Sequence, residues 1–80
     1  MADYFEIPPI ESGTYQHYKG NKYRVLGMGR HTEADEYFVV YSPVESKPDM
    51  PAIWLRPYQM FIETVEVGGK TIPRFRKIEE

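Results

Sequence analysis

Eighty residues fit one domain, and the absence of cysteine removes a disulfide framework, a thiolate metal site and any argument for secretion. A net charge of −2 weighs against a general nucleic-acid binder, although the stretch from Gly13 to Ile78 carries ten basic and seven acidic residues and is net +3. No apolar run approaches the ~18 residues of a membrane span, and Met1–Glu6 lacks the basic start and apolar stretch of a signal peptide, so cytoplasm is the expected compartment.

A domain of this size buries only about 60% of its unfolded surface, so its core must be dense. Seven Tyr, four Phe and one Trp are the material for it, at ~150–250 Å² each. Residues 1–12 hold Pro8-Pro9, acidic side chains and the apolar Tyr4, Phe5, Ile7 and Ile10. They read as an extended N-terminal arm, either a loose terminus or a cover for an open sheet edge. Residues 13–80 read as one β-barrel domain.

Thr14–Lys19 alternates, with Tyr15 and His17 on one face. Gly20-Asn21-Lys22 predicts a tight turn. Tyr23–Arg30 is the next strand, with Tyr23 and Val25 on one face and Leu26 and Met28 on the other; Gly27 and Gly29 suggest a bulge or sharp coiling. His31–Asp35 is a polar loop, and Glu36–Tyr41 is the most β-prone stretch. Ser42–Pro51 holds three prolines and reads as a long loop. Ala52–Arg56 is a short strand, and Pro57 opens a single helical turn over 57–60. Phe61–Val67 alternates, with Phe61, Val65 and Val67 on one side; Gly68-Gly69 signals a hairpin; Lys70–Ile72 returns, and Arg74–Ile78 closes the chain. The pattern is all-β: a small SH3-like antiparallel barrel of five or six short strands with one short helical turn.

The segment Tyr15-x-His17-Tyr18-Lys19-Gly20-x-x-Tyr23-x-Val25-Leu26 resembles the opening of a bacterial family catalogued only as a domain of unknown function. The likeness continues through His31-Thr32-Glu33, Val39-Val40-Tyr41, Trp54-Leu55-Arg56-Pro57-x-x-Met60-Phe61, Glu63-x-Val65 and Pro73-Arg74-Phe75, covering residues 13–78. It implies a small SH3-like barrel, found alone or joined to other domains, and no activity. The proline-rich Ser42–Pro51 loop departs from the aromatic or glycine-rich loop expected there.

Four groups of residues can carry chemistry. His17, His31 and Glu33 offer imidazole and carboxylate, but their spacing matches no established metal motif. The plainer reading has His17 hydrogen-bonded within the barrel and His31, Thr32 and Glu33 organising a loop. Trp54 and Arg56 share a face of their strand. If Ile53 and Leu55 face the core, Trp54 and Arg56 face out, as in a binding hot spot whose guanidinium meets a carboxylate, a phosphate or a peptide C-terminus. The alternative has Trp54 capping the barrel and Arg56 paired with Glu63 or another acid. The tyrosines at 15, 18, 23, 37, 41 and 58 supply core packing and, where exposed, an aromatic groove. Lys19, Lys22 and Arg24, with Arg30, Arg56, Arg74, Arg76 and Lys77, form either an ordinary solvated surface or a track for a single nucleic-acid strand.

No nucleophile elbow and no phosphate loop stands out, so no catalytic residue, metal or cofactor is assigned. The reading favoured is a non-enzymatic binding module that receives a peptide or protein partner on an aromatic and cationic surface. Its candidate residues are Trp54, Arg56, Tyr18, Lys19, His17, His31 and Glu33. Single-stranded nucleic-acid binding is the alternative, and a metal-dependent or other enzyme ranks behind both.

Overall fold

The computed structural model describes residues 10–45 and 52–79. Seven strands and one helical turn follow in order: β1 (Gly13–His17), β2 (Lys22–His31), β3 (Glu36–Pro43), β4 (Trp54–Pro57), α1 (Tyr58–Phe61), β5 (Thr64–Val67), β6 (Lys70–Pro73) and β7 (Phe75–Glu79). The expected all-β antiparallel fold is present, with seven strands in place of five or six. Five form one sheet in the order β4-β3-β2-β1-β7, and β5 and β6 form a separate hairpin. Among the described residues no helix is long and apolar enough to cross a membrane.

The register decides which side chains meet. Tyr15 lies opposite Tyr23, Val25 opposite Tyr41, Met28 opposite Val39, and Val39 opposite Arg56. Opposed residues share a face, so these side chains line one surface of the sheet. Val25 and Val39 are fully buried there, each stabilising the fold by about 1.5–3 kcal/mol. Tyr15, Tyr41, Tyr58, Phe61 and Phe75 complete the core. Strict alternation would send Met28 to the opposite face from Val25. Instead the ladder shifts between Val25 and Gly27, Leu26 is the extra residue and is exposed, and Met28 returns to pack against the core.

The sheet curls without closing. Four strand spacings separate β4 from β7, about 19 Å in a flat sheet. Yet the Arg56 guanidinium on β4 lies 5.4 Å from the centre of the Phe75 ring on β7. The two edges therefore face each other across the core, with no ladder joining them among the described residues.

Helix α1 fills the space beneath. Pro57 supplies φ −54° at its N-terminus, and the Ile62 N–H closes the turn on the Tyr58 carbonyl at 3.1 Å. Phe61 is thus the last helical residue and not the first of a strand. It stacks on Phe75 at 4.2 Å and meets Tyr15 and Tyr41 edge-on. With Phe61 in the helix, the β5–β6 hairpin starts at Thr64, and Val67, expected beside Phe61, is exposed. Gly68 and Gly69 both take positive φ, 59° and 81°, as its two-residue turn requires.

The expected arm over 1–12 falls mostly outside the described residues. Its end does pack: Ile10 lies against the core, Tyr15 donates its hydroxyl proton to the Glu11 carbonyl at 2.8 Å, and Glu11 pairs with Lys77 at 2.7 Å. In the expected loop, β3 continues to Pro43, and residues 46–51 lie outside the described part.

Candidate functional site

The β1–β2 turn is held from inside by His17. Its Nδ1 accepts the Lys19 N–H at 3.1 Å, and its carbonyl accepts the Gly20 N–H at 2.7 Å. Gly20 takes φ 115°, which side-chain-bearing residues avoid. The turn is then fastened to the neighbouring edge strand, because the Tyr18 N–H donates to the Arg74 carbonyl at 2.9 Å, one residue beyond the His17–Phe75 pair of the β1–β7 ladder. The His17 ring leans on Tyr18 at 4.6 Å and meets Phe75 edge-on at 4.9 Å.

Strand β4 brings in the other half. Leu55 and Ile53, expected to face the core, are 61% and 60% exposed. The ladder sets Trp54 opposite Tyr41 and Arg56 opposite Val39, both core residues, so Trp54 and Arg56 lie on the inner face. Trp54 nevertheless keeps 42% of its surface in solvent, because it begins a strand at the sheet edge. Its indole rests on Tyr23 at 5.7 Å and on Tyr41 at 5.9 Å.

Arg56 donates from Nε to the Tyr41 hydroxyl at 3.1 Å while its guanidinium lies over Phe75. The carboxylate expected to pair with it, Glu63, pairs instead with Arg74 at 3.2 Å. Among the described residues no carboxylate lies within ion-pair distance of Arg56. His17, Tyr18, Trp54 and Arg56 are thus brought onto one connected aromatic surface, with Lys19 over the Tyr18 ring.

His31 and Glu33 do not join them. His31 sits nine residues beyond Lys22, at the other end of β2, about 30 Å of extended chain away. There its Nδ1 accepts the Ala34 N–H at 3.0 Å, and Arg30 pairs with Asp35 across the same turn. The candidate set of seven therefore divides into five residues at one site and two at a remote loop. Among the described residues no group of three His, Cys, Asp or Glu can hold a metal ion. The basic residues likewise disperse: Arg30 and Lys77 hold acids, and Arg76 donates to Gln16.

Phe75 belongs to the site although the sequence did not point to it, and Arg74, Tyr23 and Tyr41, named there only within the broader basic and tyrosine groups, join it too. Alternation cannot find them, because what joins them is the curl of the sheet. The one local hint is the Pro73-Arg74-Phe75 run, a cation beside an aromatic just after a strand-ending proline. A cleft of about 420 Å³ opens between the first turn and the end of β3, walled by Tyr23 and Trp54, with Lys22 and Glu45 at its margin. That volume is within the ~300–1,000 Å³ of ligand pockets.

The electrostatics of the turn follow from this placement. Burial, then the positive charges of Arg74, Arg56 and Lys19, hold His17 below its ordinary value of 6.5. The unfolded chain thus binds the proton more tightly than the folded one. His17 contributes stability above pH 6.5, and that contribution is lost as the pH falls through its lowered value. In chloride buffer the urea midpoint should drop from about pH 7 to about pH 5, and His17→Asn should remove part of that drop. Asparagine keeps an acceptor for the Lys19 N–H. Identical pH profiles for the two proteins would show that His17 is not coupled to folding.

A profile of a family described only as a protein of unknown function, DUF1653, matches residues 13–77. The chain belongs to the DUF1653 family. A crystal structure of a protein belonging to DUF1653 from Bordetella bronchiseptica is similar to it at 36% identity, with 88% of each chain covered and a TM-score of 0.75. No curated protein matches the chain. The resemblance read from the Tyr15–Leu26 and Trp54–Phe61 motifs is therefore correct. The DUF1653 match begins at Gly13, the first residue of β1, and ends within β7, so it takes in part or all of each of the seven strands.

Proposed function

We propose that this DUF1653 domain is a binding module that receives an acidic, extended peptide segment of a partner protein on the surface formed by Trp54, Tyr23, Tyr18 and Arg56. One observation carries the reading. Arg56 is a permanent cation seated on an aromatic bed, with no carboxylate partner among the described residues, next to a tryptophan that is 42% exposed. A half-buried guanidinium without an anion has given up water without gaining a counter-charge. A carboxylate from a partner supplies that charge in the planar, two-pronged geometry a guanidinium favours. The indole and the Tyr23 ring supply flat apolar area at low entropic cost. The cleft beside them gives the chain on either side of the acid somewhere to lie.

Trp54 is the single tryptophan, so its fluorescence reports directly on this surface. Titration with a library of glutamate- and proline-containing decapeptides should change its emission saturably, and the same peptides with lysine for glutamate should not. In Arg56→Gln the preference for acid over lysine should fall by about tenfold, near 1.4 kcal/mol. Equal responses to acidic and basic peptides, or none to either, would dismiss the reading.

A further inference from the structure

The acid on such a peptide needs a seat, and around His17 three cations gather with one carboxylate among them. Lys19, Arg56 and Arg74 come from three separate parts of the chain, yet all three act electrostatically on this one imidazole. Two backbone bonds enforce the meeting at Arg74. Its N–H donates to the Glu63 carbonyl at 3.0 Å, and its carbonyl accepts the Tyr18 N–H. Glu63 is the single carboxylate paired with any of these cations among the described residues. Even so, the Nε–H of Arg74 is buried and has no hydrogen-bond partner, a costly condition for a charged donor. His17 accepts the Lys19 N–H at Nδ1, so the neutral ring carries its proton on Nε2 and offers a donor there. Phe75 lies against both His17 and Arg56, and Phe61 backs it, so the donors stand on an apolar floor that strengthens their attraction for charge.

We propose that His17, Arg56 and Arg74 form one oxyanion-binding site on this surface, which takes the carboxylate of the acidic peptide. The site deepens the function proposed above and rests on it for the source of the carboxylate. Its chemistry is that of oxyanions in general, so a small tetrahedral dianion also fits the donor set. The groups around His17 are Lys19 in its own turn, Arg56 from β4, Arg74 before β7 with Glu63 on its outer side, and the neutral rings of Tyr18 and Phe75. His17 and Tyr18 also line a smaller hollow of about 300 Å³ together with Gln16, Pro73 and Arg76, so Arg76 is a further cation facing the imidazole's surroundings. An anion entering among these cations reverses the local field, so His17 reports its arrival by taking a proton more readily.

The test follows the two histidines of the full chain by NMR between about pH 5 and pH 8, in chloride alone and with inorganic sulfate, sodium acetate or an acidic decapeptide added. Sulfate stays a dianion throughout. At saturating sulfate the His17 midpoint should rise by about one unit, while His31, at the far end of β2, should not move. Acetate should act in the same direction more weakly. Arg56→Gln should reduce the His17 response to sulfate at least about threefold, and His17→Asn should weaken decapeptide binding most at the acid end of the range. Equal shifts of His17 and His31, or an unmoved His17 at sulfate concentrations that saturate any other resonance, would overturn the oxyanion site. The two proposals fail separately. A decapeptide that quenches Trp54 and leaves His17 unmoved keeps the module and removes this site. A sulfate response at His17 with no decapeptide binding keeps this site and removes the peptide.

Discussion

Phe75→Ala should lower the unfolding free energy by about 3–5 kcal/mol. Phe75 is where the curled sheet meets itself. Its ring stacks on Phe61, contacts Tyr23, Tyr41 and His17, and carries the Arg56 guanidinium. An alanine there leaves a hole bordered by all of these, and an open barrel has few other contacts between β7 and the β3–β4 side to close it. Total stability for 80 residues is of order 4–12 kcal/mol, so the loss takes a quarter or more of it. Phe75→Leu keeps most of the volume and should cost about 1–1.5 kcal/mol, leaving a cooperative transition at lower urea. Urea melts followed by far-ultraviolet circular dichroism measure both. A Phe75→Ala protein within about 1 kcal/mol of the parent would mean that the two sheet edges do not depend on this ring.

Trp54→Ala should do the converse: weaken peptide binding by about thirtyfold or more, near 2 kcal/mol, while the domain stays folded. Position decides both effects. Trp54 rests on Tyr23 and Tyr41 but opens a four-residue edge strand and keeps much of its surface wet. Its truncation exposes two tyrosine faces without opening a sealed cavity, so the folding cost should be about 1–2 kcal/mol, well under that of Phe75→Ala. Calorimetric titration with the acidic decapeptides measures the first effect, since the variant has no tryptophan emission, and a urea melt measures the second. Should Trp54→Ala unfold as readily as Phe75→Ala, Trp54 would be a core residue and the platform would not exist.

The two variants expose how differently the sequence speaks about fold and about site. Val25, Val39 and Tyr41 were legible as strand residues because β-branched and aromatic side chains at alternate positions have one good solution, a pleated sheet with a buried face. The Gly68-Gly69 turn and the Pro57 helix start were legible because each rests on local backbone preference, positive φ at two glycines in one case and the fixed φ of a proline in the other. Orientation at β4 was not. Ile53 and Leu55 make the more apolar face and Trp54 and Arg56 the more polar one, so alternation points the aliphatic pair inward, and only pairing with β3 shows the reverse. Choosing the aliphatic pair as inward put Leu55 in the core, whereas the ladder puts Arg56 across from Val39. The same limit explains Met28, whose face depends on one extra residue in the ladder at Leu26.

Sequence alone therefore determined the family, the all-β architecture, most strand positions and the aromatic stock of the core, because each of these is local or a matter of counting. Tertiary structure decided which cations and rings share a surface. His17 and Arg56 are 39 positions apart, and Arg74 a further 18. They meet because a five-stranded sheet, curled by its own twist and a bulge, brings its two edge strands together over Phe75. His31, only 14 residues beyond His17 in sequence, is kept from it by the length of β2, at whose far end it lies.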